Sequence, residues 1–307
     1  MNVQPQSSSP VPPVISRDAL ITAITTFLSG WDTLDDIREC LKRELEVAGP
    51  HALLRLTRAL STAGADWAYY ARDPLARQIH QVLADRILLP ESALHGAEHL
   101  AALGSGPVVI VGNHLSYADA NLLDVMFHRA GADATCDRLT VIAGPKVYSS
   151  LKRRFSSLCF GTIKVPQSSG VSSEDAVMDT REVARAARRS IEIAHERLRL
   201  GDALLVFGEG TRSRSRGMQP MLAGVTRYLE VPGTTVLPVG IVGTEALFPI
   251  GEDELYPVRV EVRVGHPIDA REIHERCGGD RQAMMDHIGR SVAALLPPEY
   301  RGAYEGT

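Results

Sequence analysis

Two short polar segments follow apolar runs and contain side chains suited to acid–base chemistry and to anion binding. The first, residues 112–119, reads Gly-Asn-His-Leu-Ser-Tyr-Ala-Asp and follows the β-branched run 108–111. The second, residues 207–213, reads Phe-Gly-Glu-Gly-Thr-Arg-Ser and follows the apolar run 203–206. Short apolar runs ended by glycine are typical of buried strands. The pattern predicts that the two segments meet in one active site at the ends of two strands.

The spacing of His114 and Asp119 predicts a strand, a turn and then a helix. On one straight helix, residues five apart lie roughly 140° apart around the axis, so the two side chains could not meet. With Ser116 as N-cap of a Ser116-x-x-Asp119 capping box, the imidazole can fold back onto the carboxylate. The carboxylate would fix the imidazole tautomer and leave the other nitrogen as a general base. Alternatively, Asp119 only caps the helix and His114 is only a turn residue.

The second segment has the composition of an anion-binding turn. Its two glycines allow the backbone to direct N–H groups toward an anion, its threonine adds a hydroxyl, and Arg212 can bind phosphate through two nitrogens. The alternative is a tight turn followed by a solvated basic loop. Lys146 follows another apolar run and is predicted to line the same cleft, with a plain surface lysine as the alternative.

In these residues the chain resembles the glycerophospholipid acyltransferases, the superfamily of glycerol-3-phosphate and lysophosphatidate acyltransferases. Their signatures are Asn-His-x4-Asp and Phe-Pro-Glu-Gly-Thr-Arg-Ser, and the resemblance covers roughly residues 107–267. Residues 159–165 and 236–239 match two weaker blocks of the family. Gly208 replaces the usual proline. Lys164 stands at or near the usual arginine, which weakens the case for bidentate phosphate capture there.

The resemblance implies an enzyme that moves a fatty acyl group from a thioester to a hydroxyl of glycerol 3-phosphate or lysophosphatidate. His114 would be the general base and Asp119 would orient it. Acyl-CoA or acyl carrier protein would be the donor co-substrate, and no other cofactor is implied. The acceptor's glycerol phosphate would be positioned by Glu209, Gly210, Thr211 and Arg212, with Lys146 and Lys164 as further substrate-binding residues.

Two other functions stay open. The same scaffold could acylate a different hydroxyl or an amine on a specialised lipid or metabolite. A catalytically inactive lipid-binding protein is the alternative from another class. The presence of both His114 and Asp119 argues against it.

Composition and charge are those of a globular enzyme, with 307 residues, 44% hydrophobic content and a net charge of −4. No stretch approaches the ~18 to 20 apolar residues needed to span a bilayer, and the start of the chain lacks a secretory pattern. We therefore expect a cytoplasmic protein with at most peripheral contact with the inner face of the membrane. The negative net charge gives no reason to expect nucleic-acid binding.

Residues 138–173 carry six basic side chains and no acidic one: Arg138, Lys146, Lys152, Arg153, Arg154 and Lys164. Such a stretch could recruit an acidic acyl carrier protein, the phosphates of coenzyme A or an anionic lipid surface. The alternative is a solvated face.

Signatures of several other enzyme classes are absent. The chain has no Gly-x-Ser-x-Gly elbow, no P-loop, no Gly-x-Gly-x-x-Gly fingerprint and no His-Glu-x-x-His. Its four cysteines are far apart and show no zinc spacing, and its other histidines are scattered. No metal site is predicted.

Three regions are predicted along the chain. Residues 1–13, rich in Ser, Pro and Gln, are expected to be a disordered tail. Residues 14–90 repeat apolar side chains at helical spacing and predict an N-terminal helical domain, punctuated by Pro50 and Pro74. Its apolar stripes fit a bundle core or, alternatively, a membrane-docking surface. Residues 91–307 predict an α/β acyltransferase domain whose central sheet is mostly parallel or mixed and is flanked by helices.

Six strands are predicted in that domain, over residues 108–111, 140–143, 162–165, 203–207, 236–242 and 258–264. The longest helix is predicted from Ser173 to Leu200, started by a Ser172-x-x-Asp175 box and stopped by Gly201. A final amphipathic helix is predicted to end before Pro297.

Overall fold

The described residues of the chain fold around a nine-stranded mixed sheet. The computed structural model describes residues 15–166, 179–252 and 254–306. The predicted α/β class, with a helical N-terminal region and a central sheet flanked by helices, is confirmed. The strands are β1 (Tyr69–Tyr70), β2 (Ala93–His95), β3 (Val108–Gly112), β4 (Leu139–Ala143), β5 (Gly161–Lys164), β6 (Ala203–Phe207), β7 (Thr235–Val242), β8 (Glu261–Val264) and β9 (Ile268–Asp269).

The strand order places residues 112–119 and 207–213 side by side, at the carboxyl ends of two neighbouring parallel strands. The order is β1-β5-β4-β6-β3-β7-β8-β2, with β9 beside β7. The five strands from β5 to β7 in this order are parallel, whereas β1, β8 and β9 pair antiparallel to their neighbours and β2 is parallel to β8. Gly112 of β3 is in register with Phe207 of β6 and with Val239 of β7. Ligands of such sheets bind beyond the carboxyl ends of the parallel strands.

All six predicted strands are present, and the ends of five agree with the prediction to within one residue. The last begins at Glu261 rather than Val258, because Val258 forms only an isolated bridge with Leu88. Three strands escape sequence reasoning, β1, β2 and β9. Each has only two or three residues, too few to show an alternating pattern.

The α-helices are α1 (Arg17–Thr25), α2 (Leu34–Thr62), α3 (Pro74–Ile87), α4 (Ala97–Ala101), α5 (Asp119–Arg129), α6 (Asp133–Cys136), α7 (Leu151–Ser157), α8 (Thr180–Arg199), α9 (Thr244–Leu247), α10 (Ala270–Arg276), α11 (Arg281–Ala293) and α12 (Pro298–Arg301). Short 3₁₀ helices cover Thr26–Leu28, Pro145–Tyr148, Ala223–Leu229 and Gly302–Tyr304. Across the described residues, no helix combines the length and the apolar character needed to cross a bilayer.

The N-terminal helices pack into the same hydrophobic core as the sheet. Leu20 of α1 and Leu56 of α2 are fully buried and belong to the cluster that includes Ile110 of β3. The prediction that Pro50 separates two helical segments is confirmed. Within α2 the helix is interrupted at Gly49, which has a φ of +77°, and a second helical segment starts with Pro50, because proline is tolerated in the first turn of a helix. The domain boundary near residue 90 stays a prediction.

The described end of helix α8 follows the predicted signal. Helix α8 is seen from Thr180, with Asp179 as its N-cap, and Gly201 follows its end with a φ of +91°. The predicted start at Ser173 and its capping box lie outside the described residues, as does the tail 1–13. Helix α11 ends before Pro297, as predicted, but it is not the final helix, because α12 begins at Pro298.

Candidate active site

Strand β3 places His114 just beyond the carboxyl ends of the parallel strands and fixes the position of its backbone. The strand is buried along its whole length. Asn113 follows it, and its side-chain amide donates to the carbonyl of Ile241 (2.9 Å) and accepts from the N–H of the same residue (2.8 Å). These two bonds extend the pairing of β3 with β7 by one step. His114 therefore leaves the sheet from a rigid position.

Asp119 closes the turn between β3 and α5. Its Oδ2 accepts hydrogen bonds from the backbone N–H groups of Leu115 (2.7 Å) and Ser116 (2.9 Å). The expected start of the helix after Ser116 is wrong, because the helix begins at Asp119 and Ala118 is its N-cap. The Ser116 hydroxyl accepts instead from the N–H of Ala118 (3.3 Å), within the turn. The returning half of the predicted capping box, from carboxylate to backbone, is present.

The imidazole of His114 folds back onto this carboxylate, as the spacing predicts. Its Nδ1 lies 2.8 Å from Oδ2 of Asp119, which is fully buried. The ring also stacks on Phe207, with centroids 4.2 Å apart and planes 10° apart. Because a carboxylate can only accept, this contact assigns the proton to Nδ1. Nε2 is then the unprotonated nitrogen, it has no hydrogen-bond partner within the described parts of the chain, and the side chain is 16% exposed.

Thr244 also belongs to the arrangement around Asp119, and sequence reasoning missed it. Its hydroxyl donates to Oδ1 of Asp119 (2.6 Å), and its side chain is fully buried. It follows Gly243, at the carboxyl end of β7. The signal that could have found it is a polar residue just after a strand adjacent to β3, but recognising that requires the strand order. With Thr244 included, Asp119 contacts four hydrogen-bond donors, one of them the imidazole.

Glu209 joins the second segment to the first. Its Oε1 accepts from the backbone N–H of His114 (2.8 Å), and its Oε2 accepts from that of Gln219 (2.8 Å). The backbone N–H of Ser213 in turn donates to the carbonyl of His114 (2.7 Å). Both carboxylate oxygens are therefore engaged by the protein itself. The structure gives Glu209 a role in holding the two segments together, which differs from the expected contact with the acceptor.

Burial raises the pKa of the Glu209 carboxyl to about 7, against the opposing effect of the N–H groups of Gln219 and His114. The folded protein therefore retains this proton at pH values where the unfolded chain has released it. Stability contributed by the neutral form is present below about pH 4.5 and is lost as pH rises to about 7.

We expect the free energy of unfolding of the wild type, relative to Glu209→Gln, to fall by roughly 1–3 kcal/mol between pH 4.5 and pH 8. Glutamine keeps one acceptor oxygen but cannot titrate. Urea unfolding of both proteins across this range measures the difference. Parallel pH profiles would show that Glu209 titrates in the folded state as it does in the unfolded one.

The glycines of the second segment serve its turn more than an anion. Gly210 has a φ of +71°, and a Cβ there would lie 2.6 Å from Cδ1 of Leu222. Its N–H donates to the carbonyl of Phe207 (3.1 Å), and that of Ser213 is used by His114. These two amides are not directed at an anion. Thr211, between them, is half-buried.

A polar cavity of about 400 Å³ lies beside the two segments. Arg212, Lys146 and Arg153 all line it, so the structure brings two of the predicted site residues together, whereas His114 is not among the described residues that line this cavity. The Arg212 guanidinium lies 3.6 Å from the ring centre of Tyr117, and its Nη1 is buried without a hydrogen-bond partner among the described residues. The remaining lining residues are Tyr117, Ser149, Phe248, Pro249, Gly251 and Glu252. Three cations face one carboxylate, which suits an anionic ligand.

Lys164 lies away from this cavity. Strands β4 and β6 separate its strand, β5, from β3. Its Nζ donates to the carbonyl of Gly64 (2.6 Å) and lies 4.5 Å from the ring centre of Trp67. The structure therefore does not bring Lys164 together with the other predicted site residues.

The basic stretch of the sequence does not form one surface. Arg138 precedes β4, at the opposite edge of the sheet, where it donates to the carbonyls of Gly104, Gly106 and Gly201. Lys146 and Arg153, by contrast, line the polar cavity. Arg153 is a cavity residue that motif reasoning did not select; its place in the basic stretch was the available signal.

A family model described as Acyltransferase matches residues 91–242. Over 129 residues the chain is 30% identical to a 1-acyl-sn-glycerol-3-phosphate acyltransferase of Chlamydomonas reinhardtii. That alignment covers 41% of this chain and 36% of the relative. The fold is also similar to the crystal structure of the 1-acyl-sn-glycerophosphate acyltransferase PlsC from Thermotoga maritima, with a TM-score of 0.49 and 17% identity, over 91% of this chain and 93% of that chain.

Proposed function

We propose, since this chain belongs to the glycerophospholipid acyltransferase superfamily, that it moves a fatty acyl group from a thioester to a hydroxyl of glycerol 3-phosphate or lysophosphatidate. The thioester is that of acyl-CoA or acyl carrier protein. One observation carries the proposal. The His114 imidazole is hydrogen-bonded to the buried Asp119 carboxylate, and the backbone of His114 is hydrogen-bonded to the segment that contains Arg212. Arg212 in turn lines a cation-rich cavity.

In this proposal His114 acts as general base through Nε2. It takes the proton of the acceptor hydroxyl as that oxygen attacks the thioester carbonyl, and Asp119 stabilises the imidazolium that forms. The tetrahedral intermediate then collapses, the carbon–sulfur bond breaks, and the imidazolium returns the proton to the sulfur. The products are an ester and a free thiol, with no covalent acyl-enzyme. Holding acceptor and thioester together supplies much of the remaining rate enhancement.

The phosphate of the acceptor is assigned to the polar cavity. A guanidinium can hold phosphate with two parallel hydrogen bonds, and the unpartnered Nη1 of Arg212 is such a donor. Lys146 and Arg153 add two further positive charges to the same cavity. Stacking on Tyr117 fixes the plane of the Arg212 guanidinium before any ligand arrives.

We expect Arg212→Ala to raise the KM for the phosphorylated acceptor by about 10- to 100-fold, because a charge-assisted hydrogen bond contributes roughly 1.5–3 kcal/mol. The KM for the thioester should change little. Arg214→Ala is the matched control, since Arg214 is two residues further on and exposed. Steady-state kinetics with each substrate varied in turn measure both constants. An unchanged acceptor KM would remove Arg212 from the phosphate site.

An acceptor panel tests the overall function. The purified chain is offered acyl-CoA, or acyl carrier protein loaded with the same acyl group, together with glycerol 3-phosphate, lysophosphatidate or a lipid hydroxyl or amine without phosphate. Acceptor-dependent release of free thiol, with formation of the matching ester, supports the proposal. Turnover only with the unphosphorylated acceptors would favour acylation of a different hydroxyl or amine. No thioester turnover with any acceptor would favour an inactive lipid-binding protein.

A further inference from the structure

Helix α8 extends beyond the sheet on the side where His114 lies. It connects β5 to β6, which run in the same direction, and therefore leads back from the carboxyl end of β5 to the amino end of β6. The Ser190 hydroxyl donates to the carbonyl of Lys164, the last residue of β5 (2.9 Å). Ser190 is thus level with the carboxyl end of that strand. At roughly 1.5 Å per residue, residues 180–189 project up to about 15 Å past it.

The projecting part of α8 carries arginines along its outer face. Arg181, Arg185 and Arg188 follow one another at intervals of four and three residues, so they lie within about 60° of each other around the helix axis. All three are exposed. The side chains that α8 buries, Ala186 and Ser190 among them, lie on the opposite face. These three arginines are called the α8 arginine stripe below.

The stripe presents unpaired positive charge. Within the described parts of the chain, neither Arg181 nor Arg185 forms an ion pair, whereas Arg188 contacts Glu192 (3.0 Å). Arg185 donates from Nε to the carbonyl of Arg181 (3.4 Å), which leaves its Nη groups for a partner. Residues 179–189 contain four arginines and two acidic residues, although the chain as a whole has a net charge of −4. This local excess of positive charge would attract an acidic partner to this side of the molecule.

The composition of the projecting part favours a protein partner over a lipid surface. Helices that lie in a membrane interface combine basic residues with Trp, Phe or Leu side chains that enter the lipid. The exposed positions from 180 to 189 carry only threonine, arginine, glutamate and alanine, and the largest apolar side chain, Val183, is half-buried. An arginine stripe without apolar anchors suits the carboxylates of an acidic helix, which guanidinium groups bind through two parallel hydrogen bonds.

We propose that the α8 arginine stripe docks the acidic acyl carrier protein that delivers the acyl thioester. The inference rests on the proposed acyl transfer and adds the donor and its docking surface. Strand β6, against which α8 packs, ends at Phe207, whose ring stacks on that of His114. A carrier protein bound to the stripe therefore lies on the side of the sheet where the imidazole is presented. Its flexible phosphopantetheine arm then carries the thioester from the stripe to the site.

The test reverses the two unpaired charges of the stripe. The double variant Arg181→Glu/Arg185→Glu should fold, because glutamate near the start of a helix complements the helix dipole. For each protein kcat/KM is measured with palmitoyl-acyl carrier protein and with palmitoyl-CoA, at a saturating concentration of the same acceptor. We expect the double variant to lose about tenfold or more with the carrier-protein donor and less than about twofold with palmitoyl-CoA, which makes no contact with the stripe.

Arg199→Glu is the matched control. Arg199 is exposed on the same helix, but it lies at the other end of α8, beside the amino ends of the strands. Reversing its charge should leave kcat/KM with both donors close to the wild-type values. An equal loss in Arg199→Glu and in the double variant, with the carrier-protein donor, would overturn the inference, because the effect would then follow overall charge and not the stripe.

A binding measurement separates failure of this inference from failure of the proposed function. Calorimetric titration with holo acyl carrier protein that bears no acyl group reports docking even in a protein that turns over nothing. We expect wild type and Arg199→Glu to bind it, more weakly as NaCl rises from about 50 to about 500 mM. The double variant should bind about tenfold more weakly or worse. Stripe-dependent binding without turnover of either thioester would count against the acyl transfer and leave the docking surface standing.

Three results would overturn the inference. The first is equal binding of the carrier protein by wild type and double variant. The second is a loss in the double variant that is as large with palmitoyl-CoA as with the carrier-protein donor. The third is a wild type that binds no carrier protein, and stripe-dependent sedimentation with anionic phosphatidylglycerol vesicles would then assign these arginines to a membrane surface.

Discussion

Replacing His114 with alanine should lower kcat for acyl transfer by about 10²- to 10⁴-fold, the usual contribution of a positioned general base. The substitution removes Nε2, the proposed base, together with the Nδ1 contact that joins the ring to a buried carboxylate. It also removes a ring stacked on Phe207, so a loss of roughly 0.5–1.5 kcal/mol in stability should accompany it. Steady-state thiol release, with circular dichroism melting on the same sample, measures both effects.

His128→Ala is the matched control for this variant. His128 also contacts a carboxylate through Nδ1, at 2.6 Å from Asp133, but its side chain is 43% exposed and lies at the far end of α5. Turnover should therefore stay close to that of the wild type. Comparable activity in His114→Ala and His128→Ala would remove His114 from the chemistry.

Asp119→Asn should cost nearly as much activity as the loss of the imidazole, and more stability. An asparagine has one acceptor oxygen, whereas the carboxylate contacts four donors. If the amide NH₂ takes the place of Oδ2, it faces two backbone N–H groups, and each buried group left unpaired costs roughly 1–3 kcal/mol. If it takes the place of Oδ1, it can donate to the Thr244 hydroxyl, which then loses the acceptor of its own proton. If NH₂ faces the imidazole, Nδ1 must become the acceptor and Nε2 carries the proton, which is the wrong tautomer for a base.

The measurement combines kcat with guanidinium unfolding, so that chemistry and stability are read separately. Asp124→Asn provides the control, because Asp124 lies on the same helix, is fully buried and contacts Arg77 (3.3 Å) rather than His114. It should lose stability and keep kcat within a few-fold. If Asp119→Asn retained wild-type kcat, the carboxylate would have only the capping role that the sequence also allows.

The His114–Asp119 contact is predictable from sequence because it is local. An apolar strand, a glycine break and a five-residue spacing leave few conformations that join the two side chains. The central parallel strands are predictable for a similar reason, since each is an apolar run bounded by turn residues. The predicted and observed strands therefore agree well between Val108 and Val264.

Contacts that depend on strand order are not predictable from one sequence. Thr244 reaches Asp119 only because β7 is paired with β3, some 130 positions away in the chain. Lys164 is the reverse case, a residue that the sequence assigns to the site and that the structure does not place there. A family block places it among substrate-binding residues, whereas two intervening strands carry it away from the site.

The N-terminal helices show the same limit at larger scale. Their apolar spacing predicts helices and a core, and both are found. Which neighbours they choose depends on surfaces from distant segments, so their packing against α5 and α7 beside the site could not be read from the pattern. The break at Gly49 is by contrast local, and the proline that follows it marks the break in the sequence.

The carboxylate of Glu209, shared between two backbone amides, makes the segments it joins genetically interdependent. A change near Gln219 that loosens one oxygen also frees the other, and so shifts the peptide that presents the imidazole. Substitutions on either side of this bridge should therefore show epistasis, each doing less harm once the other is present. Laboratory evolution of acceptor preference would then have to move residues 209–219 and 113–119 as a unit.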